Sequence, residues 1–289
     1  MKIAVTGASG FLGKHVVDEL RGLMEHEIVL AARTLPVELA LSSNMSVVQF
    51  DLKDIEDAFF RLGEPDLLIH LAWDGLPNYM STYHFDTELS RQYQFLKQMV
   101  LSGTQSIFVT GTCFEYGMQS GALTEDMDCK PVTAYGFAKD CLRQQLTYLK
   151  REHEFKLTWA RIFYLVGEST RQANLFSALR ESVNKGAMHF NMSKGDQQRD
   201  YLAVEEVADL ISKVALKMLD VGTLNICSGE PITVRRVVED RIRSMGWHIK
   251  LNLGHYSYPE YEPMAFWGDT HKLNSIVRNN RGSKNTAPD

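Results

Sequence analysis

Three glycines spaced three residues apart follow the first apolar segment of the chain, and this pattern limits the fold more than any other feature. Gly7, Gly10 and Gly13 come directly after residues 2–6, and the apolar positions of residues 11–23 repeat with helical spacing. Gly7 permits a tight turn, Gly10 lets a ligand approach the backbone closely, and Gly13 allows a helix to pack closely on a strand. The pattern therefore predicts a strand, a tight turn and a helix at the start of an α/β sheet.

Short apolar segments alternate with longer amphipathic segments through the first half of the chain. The pattern predicts strands at 2–6, 27–32, 47–50, 66–71, 106–110 and 156–163, and helices at 11–23, 54–61, 89–101 and 135–151. Strands that alternate with helices pair in parallel through right-handed crossovers. We therefore expect an α/β fold with a doubly wound, parallel Rossmann sheet.

The alternation becomes less regular after residue 166. Here the pattern predicts helices at 174–184, 204–219 and 234–245 and strands at 188–192 and 223–226. We expect residues 1–166 to form the Rossmann domain and residues 167–289 mainly a smaller C-terminal α/β substrate-binding region, with some later segments returning to the sheet. The polar tail from about residue 279 is predicted to be disordered.

The composition excludes several classes of protein. The chain has 31 basic and 36 acidic residues and a net charge of −5, so we expect no nucleic-acid partner. No uncharged apolar segment approaches the roughly 18 residues that span a bilayer, and the N-terminal segment is too short for a secretory signal. The four cysteines are scattered, which suits a reducing cytoplasm and argues against a disulfide scaffold or a zinc site. We expect a cytoplasmic protein with no membrane partner and no metal.

The glycine turn and the end of the second strand indicate the cofactor. The N-terminus of the helix after Gly10 carries the positive end of its dipole, which favours a dinucleotide pyrophosphate. An acid about 20 residues beyond the glycines would bind the ribose hydroxyl of NAD, but this strand ends in Ala31-Ala32-Arg33. Arg33 can pair with a 2′-phosphate, so NADP(H) is favoured over NAD(H). The alternative is that Arg33 is a solvated surface residue.

Further cofactor contacts are expected at the carboxyl ends of the strands, where ligands bind in open α/β sheets. The complete predicted set comprises Gly7, Ser9, Gly10, Phe11, Leu12, Gly13, Arg33, Asp51, Leu52, Leu71, Ala72, Trp73, Thr110, Tyr135 and Lys139.

A tyrosine and a lysine four residues apart form the candidate catalytic pair. Tyr135 and Lys139 share one face of the predicted helix 135–151. A free tyrosine has a pKa of about 10, and a neighbouring lysine cation lowers it toward neutrality. Thr112, which follows the fifth strand, could hydrogen-bond the same substrate oxygen. We predict that Thr112, Tyr135 and Lys139 are catalytic.

The order of these motifs resembles the extended short-chain dehydrogenase/reductases, specifically the NAD(P)-dependent epimerase/dehydratase family, which acts on nucleotide sugars. The resemblance covers about residues 1–269 and rests on Gly7-x-x-Gly10-x-x-Gly13, His70-Leu71-Ala72, Thr112 with Tyr116-Gly117, Tyr135-x-x-x-Lys139 and Arg199-Asp200-Tyr201. It implies a Thr–Tyr–Lys catalytic triad, an NADP-binding region at 1–166 and a nucleotide-sugar-binding region at 167–289. It also implies a homodimer formed through helices 89–101 and 135–151.

The resemblance further implies which residues bind the substrate. Asn174 and Arg199 would contact its diphosphate or ribose, and residues 190–192 would line the base pocket. Glu115 would either bind a sugar hydroxyl or point away from the substrate. The complete predicted set comprises Asn78, Tyr79, Thr112, Cys113, Phe114, Glu115, Asn174, Phe190 and Arg199. One departure concerns the helix after Tyr83, where family members have Asn and this chain has Glu88, which leaves the local backbone hydrogen bonding open.

Two further comparisons with the family indicate the reaction. Dehydratases have Asp-Glu after the catalytic Thr, whereas this chain has Cys113-Phe114, which disfavours dehydration. Residues 70–79 and 111–117 resemble the 4-ketoreductases of deoxysugar biosynthesis. We expect an NADPH-dependent reductase of the C4 keto group of a nucleotide-linked 4-keto-6-deoxyhexose, as in O-antigen synthesis. The alternatives are a 4-epimerase with tightly bound NAD and a non-catalytic NADP-binding regulator.

Overall fold

A computed structural model describes residues 1–34, 41–167 and 174–278. The strands of these residues are, in chain order, β1 (Lys2–Thr6), β2 (Glu27–Ala32), β3 (Met45–Gln49), β4 (Leu67–His70), β5 (Ser106–Thr112), β6 (Gly121–Leu123), β7 (Lys156–Ile162), β8 (Tyr164–Val166), β9 (His189–Asn191), β10 (Gln198–Ala203), β11 (Gly222–Ile226), β12 (Pro231–Thr233), β13 (Lys250–Asn252) and β14 (Phe266–Gly268). The helices are α1 (Phe11–Leu20), α2 (Ala58–Arg61), α3 (Leu89–Ser102), α4 (Ala134–Glu152), α5 (Leu175–Asn184), α6 (Val204–Ala215), α7 (Val234–Ser244) and α8 (His271–Arg278). A π-helix (His84–Glu88) leads into α3, and a 3₁₀-helix (Cys113–Tyr116) follows β5.

The central sheet has seven parallel strands in the order β11-β7-β5-β4-β1-β2-β3. The chain builds outward from β1 through β2 to β3 and then crosses back to place β4 on the other side of β1. This reversal leaves a crevice at the carboxyl ends of β1 and β4, where ligands bind in open α/β sheets. The predicted parallel Rossmann fold is confirmed.

Each face of the central sheet is covered by a pair of helices. Helices α1 and α6 pack together on one face, where Val16 and Val207 are fully buried. Helices α3 and α4 cover the other face with residues such as Phe95 and Leu142. Both β11 and α6 come after residue 166, so part of the second half of the chain lies in the layer of the central sheet.

Three small sheets combine strands of the second half with two short strands of the first half, β6 and β8. They comprise β12-β10-β8, β13-β9 and β14-β6. Leu179 of α5, Phe190 of β9 and Val238 of α7 share a separate apolar cluster. The second half therefore has a small core of its own next to the crevice.

The boundaries of several predicted elements differ from those observed. Helix α1 ends at Leu20 rather than at 23, the predicted helix 54–61 is reduced to α2, and the predicted helix 204–219 ends at Ala215. The predicted disordered tail lies outside the described residues. Among the described helices, none combines the length and the hydropathy needed to cross a lipid bilayer.

Candidate active site

A cavity of about 600 Å³ lies at the carboxyl edge of the central sheet. All the residues predicted to bind the dinucleotide line this cavity, and so do Thr112, Cys113, Phe114, Tyr79 and Asn174 from the predicted substrate set. The other members of that set, Asn78, Glu115, Phe190 and Arg199, are absent from its described lining. The fold therefore brings most of the predicted site residues around one space.

The glycine turn at the floor of the cavity has no room for side chains. Gly7 has a φ of +74°, and a Cβ there would lie 2.8 Å from the backbone nitrogen of Ala72. A Cβ on Gly13 would lie 2.0 Å from the carbonyl oxygen of Gly7. The Gly10 amide closes the turn by donating to the Gly7 carbonyl at 2.9 Å. This cradle brings the N-terminus of α1 to the cavity and fits a pyrophosphate.

Tyr135 lies in the first turn of α4, close to the end of β5. The Thr133 side chain caps α4 by accepting from the Gly136 amide at 3.0 Å. Burial raises the pKa of Tyr135 above its usual value of 10, although a hydrogen bond with the Thr112 side chain lowers it. Tyr135 is therefore a phenol at neutral pH, which is the form that donates a proton.

Lys139 lies one helical turn after Tyr135 and is almost completely buried. Its Nζ donates to the carbonyl oxygen of Thr110 at 2.7 Å and lies 4.0 Å from the ring centroid of Trp73. Burial lowers the pKa of Lys139 to about 7, and the negative charges of Glu115 and Glu88 oppose this shift.

The expected lowering of the tyrosine pKa by the lysine is not found in this structure. The Nζ of Lys139 lies 5.9 Å from the ring centroid of Tyr135. At that separation burial of the phenol dominates, so the pKa of Tyr135 is raised. The two residues share the cavity, but as an uncharged acid beside a cation that titrates near neutrality.

Glu115 is fully buried and holds Thr112 in place. Its Oε1 accepts from the Thr112 amide at 2.8 Å, and its Oε2 accepts from Arg161 Nε at 2.8 Å. The Trp159 indole donates to the same carboxylate at 3.0 Å. Burial raises the pKa of Glu115, while Arg161 opposes the shift. Because this carboxylate is engaged away from the cavity, we revise its predicted contact with substrate to a positioning role.

A hydrogen-bonded chain that the sequence analysis missed supports the loop after β4. Burial lowers the pKa of His70 to about 3, so its neutral ring accepts from Thr6 Oγ1 at 2.7 Å and donates to Gln92. Gln92 donates in turn to the Ala72 carbonyl at 3.1 Å and to Glu88 at 2.7 Å.

Glu88 completes this chain at the end of the π-helix. Its Oε1 accepts from the Asp74 amide at 2.9 Å, and its side chain is almost completely buried at the cavity. Family members have Asn at this position, and the sequence did not show how Glu88 could replace its backbone hydrogen bond. In this structure Glu88 makes such a bond. That departure was the only signal in the sequence that pointed to this residue.

Aromatic side chains surround Tyr135. Its ring centroid lies 5.8 Å from that of Tyr79, 5.8 Å from that of Trp73 and 5.3 Å from that of His84. Phe114 continues this aromatic wall, with its centroid 4.9 Å from that of Tyr79. These rings give the cavity an aromatic surface beside Tyr135, on which an apolar part of a ligand can pack.

Three of the residues predicted to bind substrate have structural partners outside the cavity lining. Arg199 is almost completely buried, and its Nη2 pairs with Glu262 at 2.8 Å. Asn78 is exposed, and its carbonyl oxygen accepts from His84 Nε2 at 2.9 Å. Phe190 lies in the apolar cluster of α5 and α7, and its contact with the base stays a prediction.

One group of potential metal ligands occurs among the described residues. Glu115, Cys129 and Asp140 bring their ligand atoms within 4.8 Å of one another. The Arg161 Nη2 lies 2.7 Å from Cys129 Sγ, and Arg143 pairs with Asp140 at 2.7 Å. The two guanidinium groups neutralise this cluster, so it forms part of the structural support of Thr112.

The parallel sheet, the glycine turn and the Thr112, Tyr135 and Lys139 group define a Rossmann-fold protein of the short-chain dehydrogenase/reductase type. Residues 3–227 match the model of the NAD dependent epimerase/dehydratase family, and the chain belongs to this family. It is thus a member of a family of oxidoreductase and epimerase-type enzymes that use a nicotinamide cofactor and act on nucleotide sugars.

Two relatives from Aggregatibacter actinomycetemcomitans are similar over most of the chain. One, described as dTDP-6-deoxy-L-talose 4-dehydrogenase (NAD(+)), is 27% identical over 271 residues, which cover 93% of this chain and 99% of the relative. The other, described as GDP-6-deoxy-D-talose 4-dehydrogenase, is 26% identical over 246 residues, covering 83% of this chain and 78% of the relative.

A solved structure has the same fold. It is described as MoeE5 in complex with UDP-glucuronic acid and NAD and matches with a TM-score of 0.82 at 23% identity, covering 96% of this chain and 92% of that chain.

Proposed function

We propose that the protein is an NADPH-dependent reductase of the C4 keto group of a nucleotide-linked 4-keto-6-deoxyhexose, acting in deoxysugar synthesis for surface polysaccharide such as O-antigen. The observation that carries this proposal is the grouping of Tyr135, Thr112 and Lys139 at one cavity, with Lys139 one turn along α4 from Tyr135. The names of both A. actinomycetemcomitans relatives describe dehydrogenation at C4 of a nucleotide-linked 6-deoxyhexose, which is the reverse of this reduction.

The residues of this chain supply the proton and the alignment in the proposed reaction. When bound, NADPH supplies the hydride for C4. Tyr135 donates its phenolic proton to the forming C4 alkoxide, and Thr112 orients the same oxygen through its hydroxyl. Lys139, held by the Thr110 carbonyl and the Trp73 ring, binds the ribose hydroxyls of the nicotinamide half.

The aromatic wall supports a 6-deoxy sugar as the substrate. Tyr79 and Phe114 present ring surfaces next to Tyr135, which suit a methyl group at C6 better than a hydroxyl or a carboxylate. Burial raises the pKa of the Cys113 thiol, so neither Cys113 nor Phe114 offers an ionised acid or base for dehydration. Asn174 lies at the cavity wall and is the candidate contact for the diphosphate or ribose of the substrate. Arg199 lies behind the residues that line the cavity.

Arg33 supports the choice of NADP(H) over NAD(H). Its guanidinium lines the cavity beyond the end of β2, and its side chain is 61% exposed. A guanidinium at this position can pair with the 2′-phosphate of NADP(H) through two donors.

We further propose a homodimer in which α3 and α4 of each subunit form a four-helix interface. Phe85 and Phe137 support this proposal, because they are 38% and 48% exposed and contact each other at 5.9 Å beside these helices. An aromatic pair open to solvent is typical of a surface that another subunit covers.

Product analysis tests the proposed reaction. The protein is incubated with NADPH and dTDP-, CDP- and GDP-linked 4-keto-6-deoxyhexoses, and we expect one sugar to be reduced at C4 with one NADPH consumed per product. Tyr135→Phe keeps the ring and removes the hydroxyl, so kcat should fall about 10²–10⁴-fold while NADPH still binds.

Two results would contradict the proposal. Interconversion of C4 epimers by protein that retains NAD through purification would identify a 4-epimerase. Binding of NADPH without its consumption across the whole panel would identify a non-catalytic regulator.

A further inference from the structure

The second strand is not followed by an acidic residue, but an acidic residue from a different loop lies beside its end. Arg33 follows β2, and its Nη1 lies 3.3 Å from Oδ2 of Asp74, which lies in the loop after β4. Both side chains line the cavity. The parallel order of β2, β1 and β4 brings together two residues that are far apart in the sequence, so the charge at this end of the cavity is not set by Arg33 alone.

The position of Asp74 is fixed by three neighbours. Its amide donates to Glu88 Oε1 at 2.9 Å, and its Oδ2 accepts from the Tyr83 hydroxyl at 3.2 Å. Arg91 donates to the Tyr83 oxygen at 3.0 Å, which holds that hydroxyl in place. Burial opposes ionisation of Asp74, but Arg33, the Gly75 amide and Tyr83 outweigh it and lower the pKa, so Asp74 is a carboxylate at neutral pH.

We propose that Asp74 is a specificity-determining residue for the dinucleotide, which competes with a 2′-phosphate for Arg33 and offers an acceptor to a 2′-hydroxyl. This inference rests on the proposed dinucleotide site and deepens it. Asp74 already engages Nη1 of Arg33, so a 2′-phosphate of NADPH that binds this guanidinium has to compete for it and lies close to a fixed carboxylate. The 2′-hydroxyl of NADH can instead donate to Asp74 while Arg33 stays paired.

The exposure of the ion pair makes this exchange possible. The Arg33 side chain is 61% exposed and that of Asp74 is 41% exposed, so water screens their attraction. A phosphate dianion attracts a guanidinium more strongly than one carboxylate does. Asp74 therefore weakens the preference for NADPH without abolishing it, and the cavity accepts both cofactors.

Direct binding of NADPH and of NADH to the purified protein tests the inference without any sugar substrate. Asp74→Asn removes the charge and keeps an oxygen that can accept from Tyr83. We expect NADPH to bind about tenfold more tightly to this variant, because a like-charge contact is removed, and NADH to bind more weakly. In the Arg33→Gln background the gain for NADPH should be clearly smaller, because only the like-charge contact is then removed and no guanidinium is released from Asp74.

The matched control is Asp54→Asn. Asp54 also pairs with an arginine, Arg61, at 3.2 Å, but it does not line the cavity. Its substitution should leave the ratio of the two dissociation constants unchanged. The inference is overturned if Asp74→Asn changes that ratio by less than twofold, or if its effect is the same in the Arg33→Gln background. Failure to reduce any keto sugar would count against the proposed reaction and leave this result standing.

Discussion

At the scale of single residues, the cavity combines an uncharged acid with a cation that is only marginally stable in its charged form. Tyr135 keeps its proton because burial raises its pKa, whereas burial lowers the pKa of Lys139 to about 7. The negative charge of Glu88 opposes the second shift. The charge state of Lys139 at neutral pH therefore depends in part on Glu88, which lies outside the Tyr-x-x-x-Lys motif.

Substitution of Glu88 should move the alkaline side of the pH profile. The pKa of Lys139 is about 7, so the charged fraction of Lys139 falls as the pH rises through 7, and kcat/KM for NADPH should fall with it. Glu88→Gln keeps the oxygen that accepts from the Asp74 amide but removes the charge, so the pKa of Lys139 drops and the loss occurs at lower pH. The profile is measured from pH 5.5 to 9.

Asp86→Asn provides the control for this experiment. Asp86 lies on the same π-helix but is exposed, and its substitution removes the same charge. An identical displacement in both variants would show a general effect of net charge and contradict the assigned role of Glu88.

The grouping of Thr112, Tyr135 and Lys139 at the cavity was predictable because the signals of these residues are local in the sequence. Tyr135 and Lys139 lie four residues apart on one helix, and Thr112 ends a strand that has a clear apolar pattern. The network of Glu88, Asp74 and Arg33 was not predictable, because it joins elements that only the strand order brings together.

At the scale of helices and strands, the length of a strand largely determined whether the sequence pattern predicted it. The strands of the central sheet are four to seven residues long, and their apolar segments are continuous because both faces are buried. Most of the strands that were not predicted, such as β6 and β12, have three residues. Such a segment is too short to show a repeating pattern of apolar residues. Strand β10 was missed for another reason, since the polar Arg199 and Asp200 are buried there by ion-pair and hydrogen-bond partners.

The start of α5 places a helix-capping side chain at the cavity. Asn174 Oδ1 caps α5 by accepting from the Ser177 amide at 2.8 Å, while the residue also lines the cavity. Asn174→Ala should lower the free energy of unfolding by about 1 kcal/mol and raise KM for the nucleotide sugar, because both cap and amide are lost. Asn174→Ser keeps a capping oxygen but not the amide, so stability should be retained while KM still rises.

Denaturant unfolding and steady-state kinetics on the two variants separate the roles. If Asn174→Ser restores KM as well as stability, the amide does not contact the substrate, and the effect of Asn174→Ala on KM comes from the helix alone.

At the scale of the whole molecule, a chain with a net charge of −5 must bind two polyanions if the proposed function is right. At the cavity the groups that can attract an anion are the N-terminus of α1, Arg33 and Lys139. A weak overall field makes these local groups, rather than long-range attraction, responsible for binding the dinucleotide and the sugar nucleotide.

The proposed homodimer yields a prediction for the whole molecule. The wild-type protein should sediment with about twice the chain mass of 32.8 kDa, because Phe85 and Phe137 would be covered by the partner subunit. Phe137→Glu places a charge in that interface and should shift the protein to the monomer, since an unpaired charge is costly to bury. Tyr256→Glu is the matched control, because Tyr256 is 57% exposed and follows β13, a strand that pairs with β9, and its variant should stay dimeric. A dimer that survives Phe137→Glu would place the interface elsewhere, and a wild-type monomer would reject the homodimer.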